Sequence, residues 1–283
     1  MARRFEFFGS YTSFAPETET IAYMTALGIA NDSTIYYPST PQQITGNGIW
    51  IGIDNVFKSA KSQGWFSKIK LLYMPIFASL ARNKFNALNP LDTDGAFRLT
   101  FFGGWTQGFG IMPNGLNGYA NTHFVPSANI TFNSEHICLV SNTNNTPLAT
   151  DSVDFGSFSA TGKSSMTLKG GAGKNLLGSR MNNDYISTSN TNANGTFIAT
   201  KNGTNTLRIY KGITNVVSGA NNGALSTFPD YLGSLNIFNQ QPVYTPGFTN
   251  QNYIFITRGS GLSATDVTNM NTTIANYKIH FNL

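Results

Sequence analysis

The hairpin signature at Phe197–Tyr210 narrows the folds open to this chain more than any other feature. Two alternating segments flank Asn202-Gly203, and an Asn-Gly pair between alternating strands selects a tight antiparallel return, because its turn needs positive φ at the central positions. The same grammar recurs around it. Asn129–Phe132, Ile137–Val140, Ser152–Ser159, Ser164–Leu168, Thr196–Lys201, Thr206–Lys211 and Leu232–Asn239 are short β-type runs separated by Asn, Gly and Ser. Strands repeating at roughly 8–12-residue spacing build a sandwich or jelly roll rather than βαβ units. Upstream, Ala96–Phe102 alternates as a half-buried strand would, and Ile69–Phe77 is an apolar run whose Pro75 places it at or near a sheet edge. Tyr253–Thr257 reads as the last strand. The expectation is a mainly β chain: an antiparallel jelly-roll sandwich with short flanking helices making up less than about a quarter of it.

Three segments carry helical periodicity instead. Glu17–Gly28 has acids in its first turn and glycine at its end, and the apolar positions from Ile53 to Lys61 recur every three to four residues before Gly64. Near the C-terminus, Ser263 is placed to cap Ala264–Tyr277, along which Val267, Met270, Ile274 and Tyr277 share one face. Asn31–Gly48, rich in Pro, Thr, Gln and Gly, reads as an exposed loop. This divides the chain into an aromatic and basic arm over residues 1–17 and one domain over 18–283, with two short helices before the sheets and one after. At 283 residues it remains within the range of a single β domain.

Only 11% of residues are charged, against about a quarter in an average globular chain. Solubility therefore rests on amides and hydroxyls, while 13% aromatic content is too high for a disordered chain. The net charge of +5 is spread thinly, with Arg3-Arg4 the one adjacent arginine pair; nucleic-acid binding, which needs a focused basic face, is not expected. Cys138 is the single cysteine, so no intrachain disulfide forms, and its apolar surroundings predict a buried, inert thiol. No run approaches the roughly 18 apolar residues of a membrane span, and the first residues are too aromatic and too briefly apolar for a signal peptide. The expected route is synthesis in a cytoplasm without Sec export.

The acidic residues offer little for catalysis. A retaining glycosidase needs two carboxyls about 5 Å apart, and the close pairs in the β region, Asp92/Asp94 and Asp151/Asp154, sit in turn-like contexts, with Glu135 the one glutamate there. Asp92 and Asp94 read as turn caps accepting backbone N–H bonds, since one D-x-D pair falls far short of a calcium shell. His123, His136 and His280 lack metal-ligand spacing. Residues 170–175 lack the spacing and hydroxyl of a phosphate loop and read as a plain loop. Neither a metal nor a cofactor is expected. A passive site is the better reading: Trp50, Trp105, Phe109 and Tyr119, with amides such as Asn114 and Asn117 nearby, are the residue types that stack on and hydrogen-bond a sugar. Each aromatic taken singly also suits ordinary packing beneath the loop.

The run NPLDTDGAFRLTFFGGW followed by PNGLNGYANT, with Gly64–Lys68, Tyr73-Met74-Pro75 and Gly261-Leu262-Ser263 on either side, resembles a concanavalin-A-type jelly-roll domain of virion structural proteins from phages and prophages of Bacteroidetes. The resemblance runs from about Thr20 onward; Tyr36–Trp50 looks like an insertion, and little aligns after Gly170. It carries no catalytic signature. It implies a spike, fibre or tail component at the particle surface that takes part in host attachment by binding a glycan or receptor, with a purely architectural role and a polysaccharide depolymerase as the competing classes. In that setting Arg3, Arg4, Phe5, Phe7 and Phe8, followed by Tyr11 and Phe14, form an arm that docks on other virion proteins or, alternatively, a first strand of the sandwich. Analogy with phage attachment proteins implies a homo-oligomer, a trimer.

Overall fold

The computed structural model describes residues 15–30, 34–36, 43–148, 152–171, 173–182, 184–204, 206–219, 223–234 and 247–283; the arm residues 1–14 and Asp151 lie outside them. In chain order the elements are α1 (Thr18–Ala26), β1 (Thr34–Tyr36), β2 (Gln43–Thr45), α2 (Gly46–Ser62), β3 (Ile69–Tyr73), α3 (Leu80–Asn83), β4 (Thr100–Phe102), β5 (Trp105–Gly108), β6 (Gly110–Pro113), β7 (Tyr119–Asn121), α4 (Pro126–Asn129) and β8 (Ser134–Ser141). There follow β9 (Phe155–Phe158), β10 (Lys163–Gly170), β11 (Leu176–Met181), β12 (Asp184–Ser189), β13 (Gly195–Asn202), β14 (Leu207–Lys211), β15 (Thr214–Gly219), β16 (Tyr231–Leu232), β17 (Tyr253–Gly259) and α5 (Ala264–Phe281).

Two antiparallel sheets face each other as a jelly-roll sandwich. One has seven strands in the order β12-β11-β10-β9-β16-β7-β4; the other has eight, β15-β14-β13-β8-β17-β6-β5, with β3 also paired to β17. The space between them is filled by Leu139, Phe197 and Ile209 from one sheet and Ala120, Phe155, Met166 and Leu232 from the other. A second core lies on the outer face of the eight-stranded sheet, where α1, α2 and α5 bury Ile53, Phe57, Met270 and Ile274 against Cys138, Val140 and Ile198. The run Ile137–Val140 is thus buried on both sides, with alternate residues serving different cores, which is why it reads as uniformly apolar. In β17 a register shift between Tyr253 and Phe255 turns both Ile254 and Phe255 toward the helices and returns Tyr253 and Ile256 to the sandwich interior; an extra residue in one strand re-aims its neighbours in this way.

The anticipated edge strand is β3, and its open edge is closed by a side chain. The Asn86 amide accepts from Leu72 N–H at 3.0 Å and donates to Ala96 O at 3.2 Å, standing in for a neighbouring strand. β13 and β14 pair as the expected hairpin, but not through a two-residue Asn-Gly turn: Asn202 still pairs with Ser134 as the last residue of β13, and of the pair only Gly203 has positive φ, at 108°. At α5, Ser263 Oγ accepts from Asp266 N–H while Asp266 receives the Ser263 N–H, a complete capping box.

Several expectations are corrected. Ala96–Phe102 is a strand only from Thr100: Asp94–Ala96 forms a single 3-10 turn and Phe97 is left-handed at φ 62°. Asn129–Phe132 is not a strand; Pro126, whose fixed φ suits a first helical position, starts the short α4, and a turn follows. The loop over Asn31–Gly48 contains the β1–β2 pairing, and α2 already begins at Gly46. The flanking helices α2 and α5 are longer than expected, at 17 and 18 residues. Strands β5, β6 and β7 lie where glycine, asparagine and proline read as a loop, and β11, β12 and β15 are hidden by serine, glycine, threonine and asparagine that mask their alternation. Of the expected strand Leu232–Asn239 only Leu232 is in one, as the end of β16; Gly233 and Ser234 bend away, and residues 235–239 lie outside the described set.

Candidate functional site

At Gly103-Gly104 the chain crosses from the seven-stranded sheet (β4) to the eight-stranded one (β5), and after β6 it crosses back through residues 114–118 to β7. These two crossings lie against each other at one end of the sandwich. Glycine is required where they touch: Gly103 has φ 67°, and a Cβ there would stand 2.0 Å from Asn117 O. Asn114 organises the return. Its Oδ1 accepts from the N–H groups of Leu116, Asn117 and Gly118 at 3.0, 3.0 and 2.9 Å, and its Nδ2 donates to Asn117 Oδ1 at 2.8 Å. Asn117 Oδ1 also accepts from Gly104 N–H at 3.0 Å. Both amides therefore shape the loop.

The loop supports an aromatic platform. The rings of Phe102 and Tyr119, opposite each other on β4 and β7, stack at 4.8 Å with 14° between their planes. Tyr231 and Phe248 continue the cluster at 5.9 and 6.4 Å from Tyr119. Tyr119 is 8% exposed, while Phe102 is 42% exposed, so Phe102 is the ring presented to solvent. Burial raises the Tyr119 phenol above its ordinary value, keeping it a neutral hydroxyl at physiological pH. Trp105 packs edge-on against Phe101 at 5.0 Å and donates its indole N–H to Phe102 O at 2.9 Å, which fixes the strand end that carries the platform. Leu116 and Leu148, 67% and 57% exposed, add apolar surface; a Cβ on Gly115 would touch Leu148, so both belong to this end.

Of the six sequence candidates, Trp105, Asn114, Asn117 and Tyr119 converge here. Phe109 sits at the β5–β6 turn and packs toward the helix-side core. Trp50 lies in α2, its Nε1–H donating to Ile29 O at 3.0 Å, in the helical layer apart from the loop. Phe102 was missed as a site residue, although its place at a strand end immediately before Gly-Gly was the available signal.

The platform is one end of a longer surface. Register places Thr100, Asn121, Tyr231, Gly156, Ser165, Arg180 and Tyr185 side by side, one from each strand of the seven-stranded sheet. Residues directly opposite on neighbouring antiparallel strands share a face. The row therefore crosses the whole outer face, opposite to the core residues Ala120, Phe155, Met166 and Leu232.

The carboxylates gather elsewhere. Glu135 and Asp230 converge on Arg258 between the sheets, with Nη2 to Glu135 Oε2 at 2.7 Å and Nε to Asp230 Oδ2 at 2.9 Å, all three side chains fully buried. Ser164 and Ser157 donate to the two acids at 2.8 and 2.7 Å. Burial, opposed by Arg258, leaves the Asp230 carboxyl raised to about 6, and burial lowers His136 to about 3. Asp154 accepts from the hydroxyls of Tyr253 and Thr249 and from Leu168 N–H inside the same interior. Asp92 and Asp94 correct the capping expectation: their oxygens pair with Arg98 at 2.7 and 3.0 Å, and Asp92 also with Lys84, because two cations within reach outcompete backbone N–H groups as partners. Among the described residues no group of three or more His, Cys, Asp or Glu side chains could hold a metal ion, and no helix is long and apolar enough to cross a membrane.

No family model matches the sequence, and no curated protein matches it. Solved structures of similar shape include domain 4 of a GH43 extracellular arabinanase from Geobacillus stearothermophilus, in complex with arabinotriose (TM-score 0.47, 14% identity, 72% of this chain and 98% of that one). Others are Trypanosoma rangeli sialidase (TM-score 0.48, 10% identity, 82% of this chain and 41% of that one) and the binding domain of botulinum neurotoxin DC with rat synaptotagmin II (TM-score 0.47, 10% identity, 74% and 52%). This chain thus spans less than two thirds of the sialidase and neurotoxin chains, and no residue role carries over from any of the three.

Proposed function

We propose that this protein is a non-catalytic attachment component of a phage particle, holding a host-surface glycan by stacking on the Phe102–Tyr119 platform. The observation that carries the binding reading is an exposed ring stacked on a buried one, on a loop whose amides and glycines hold it in place. A pre-stacked ring loses little freedom when a sugar face is laid on it. The virion setting, and with it the particle-surface location and the homotrimer, rests on the sequence resemblance. Absence of turnover is part of the proposal. It is supported by the placement of Glu135, Asp230 and Asp154, whose oxygens are engaged with Arg258, serines and hydroxyls in the closed interior.

The test is titration calorimetry with surface polysaccharide from the host, alongside a reducing-end assay. Phe102→Ala, at an exposed site, should stay folded and bind about three- to tenfold more weakly, the worth of one aromatic contact. Unchanged binding in that variant, or release of reducing ends, refutes the reading. A second reading, a purely architectural block, is favoured by one observation: Leu116 and Leu148 are exposed apolar tips beside Phe102, as a protein contact would use. It predicts no glycan binding and a Leu116→Ser variant that fails to enter particles.

A further inference from the structure

At the far end of the outer row from Phe102, four side chains form a second cluster. The Arg180 guanidinium lies 4.4 Å from the Tyr185 ring centroid and 5.7 Å from that of Phe158, and Lys163 Nζ lies 5.4 Å from the same Phe158 ring. Lys163 and Phe158 are register partners on β10 and β9, and Arg180 and Tyr185 on β11 and β12. Among the described residues neither cation has an acidic partner, which sets them apart from Lys61, Lys68, Lys84, Arg98 and Arg258, all ion-paired. Tyr185 is 48% exposed.

We infer that this cluster binds the carboxylate of an acidic sugar, so that the glycan read by the outer face is a uronic-acid-type polysaccharide. Contact with two aromatic rings restrains a guanidinium, and its fork of N–H donors, without a partner among the described residues, matches a carboxylate. Lys163 adds a point charge beside the same ring, and the exposed Tyr185 ring offers a face for the sugar bearing the acid. Charge complementarity selects the occupant, since two unpaired cations on a shared ring repel each other until an anion joins them. From Phe102 on β4 to Arg180 on β11 the sheet crosses five strand spacings, about 24 Å, and Tyr231, Gly156 and Ser165 between them are buried, so the acidic sugar sits at the opposite end of the face from the Phe102 platform. This inference rests on the glycan-binding reading and specifies its substrate class.

The test uses the intact protein with polygalacturonate, its carboxyl-reduced counterpart and a sulfated glucan, measured by biolayer interferometry at low and physiological salt. The expected result is at least about tenfold preference for the acid over its reduced form, lost in Lys163→Gln and in Arg180→Gln. Arg180→Lys, which keeps charge and stem, should restore only part of it. Circular dichroism verifies that each variant is folded, and the surface change Lys163→Gln serves if Arg180→Gln is not. Equal binding of acid and reduced forms overturns the inference and leaves the platform reading intact. Equal binding of the sulfated glucan also overturns it, by showing general attraction to polyanions, and binding of none of the three overturns it while the platform reading still stands or falls on the titration with host polysaccharide.

Discussion

Arg258 is fully buried and pairs with two buried carboxylates, Glu135 and Asp230. A guanidinium with no solvent exposure is tolerated because it donates to Asp230, to Glu135, to Ser164 and to His136 O. Removing it alone leaves two carboxylates uncompensated, so Arg258→Met should destabilise the protein by about 3–5 kcal/mol in urea unfolding. Adding Glu135→Gln and Asp230→Asn should recover most of that loss, because the buried charges then leave together. Failure of the triple variant to recover would show that packing around Arg258, rather than charge, is what the site needs. Next to it, His136 donates Nδ1–H to Ser260 O, which can only accept, leaving Nε2 to accept from Thr257. Its folded value of about 3 lies below the ordinary 6.5, so its contribution is present above pH 6.5 and is lost as pH falls toward 3. Asp230, raised from 3.8 to about 6, works the other way: its contribution is present below 3.8 and is lost as pH rises through 6. Between about pH 4 and 6 the two oppose each other. In His136→Gln only the Asp230 slope survives, so stability should fall from pH 4 to pH 6 relative to wild type, by at most about 1.4 kcal/mol per pH unit. Parallel urea midpoints for the two proteins at both pH values would contradict this.

Among the elements, α5 shows a local code meeting a tertiary demand. Its capping box was legible because Ser263 and Asp266 stand three residues apart ahead of a periodic run. Ser263→Ala should cost about 1 kcal/mol, read as a lower thermal midpoint with the sandwich spectrum unchanged. The loop after β6 behaves differently. Asn114→Ala deletes the acceptor for three N–H groups, and the expected outcome is weaker glycan binding with a smaller loss of stability, since the loop is at the surface. Binding equal to wild type would show that the Phe102 platform does not depend on the loop amides. The helix α1 has no side-chain cap of its own; Asp54 of α2 accepts from Glu17 N–H at 2.6 Å and from Thr20 Oγ1 at 2.9 Å instead. No inspection of residues 17–28 alone reveals that partner.

For the molecule as a whole, the helices cover one sheet and leave the outer face of the other for the Phe102 and Arg180 clusters. Between these two clusters Tyr231, Gly156 and Ser165 are buried, so ligand access lies at the two ends of the face. If the aromatic arm anchors the proposed trimer, deletion of residues 2–15 should give a folded protein that light scattering finds as a monomer. An intact chain that is already monomeric refutes the trimer. An unfolded deletion variant makes the arm a necessary part of the domain core rather than a docking device.

The β class, the β13–β14 hairpin, the cap of α5 and the buried character of Cys138 were determined by the sequence itself. Each depends on residues within a few positions of one another: turn chemistry, a three-residue capping spacing, an apolar run. What only the tertiary structure decided is which residues stand side by side. Tyr231 lies between Asn121 and Gly156, and Arg258 between Glu135 and Asp230, because the order of strands sets those neighbours. Trp50 shows the converse: it carries the right side chain for a sugar site and was counted among the candidates, but the helix that bears it packs in the other core layer. Side-chain type is written locally, whereas convergence on one face follows from sheet order and register, which are fixed by contacts about a hundred residues apart.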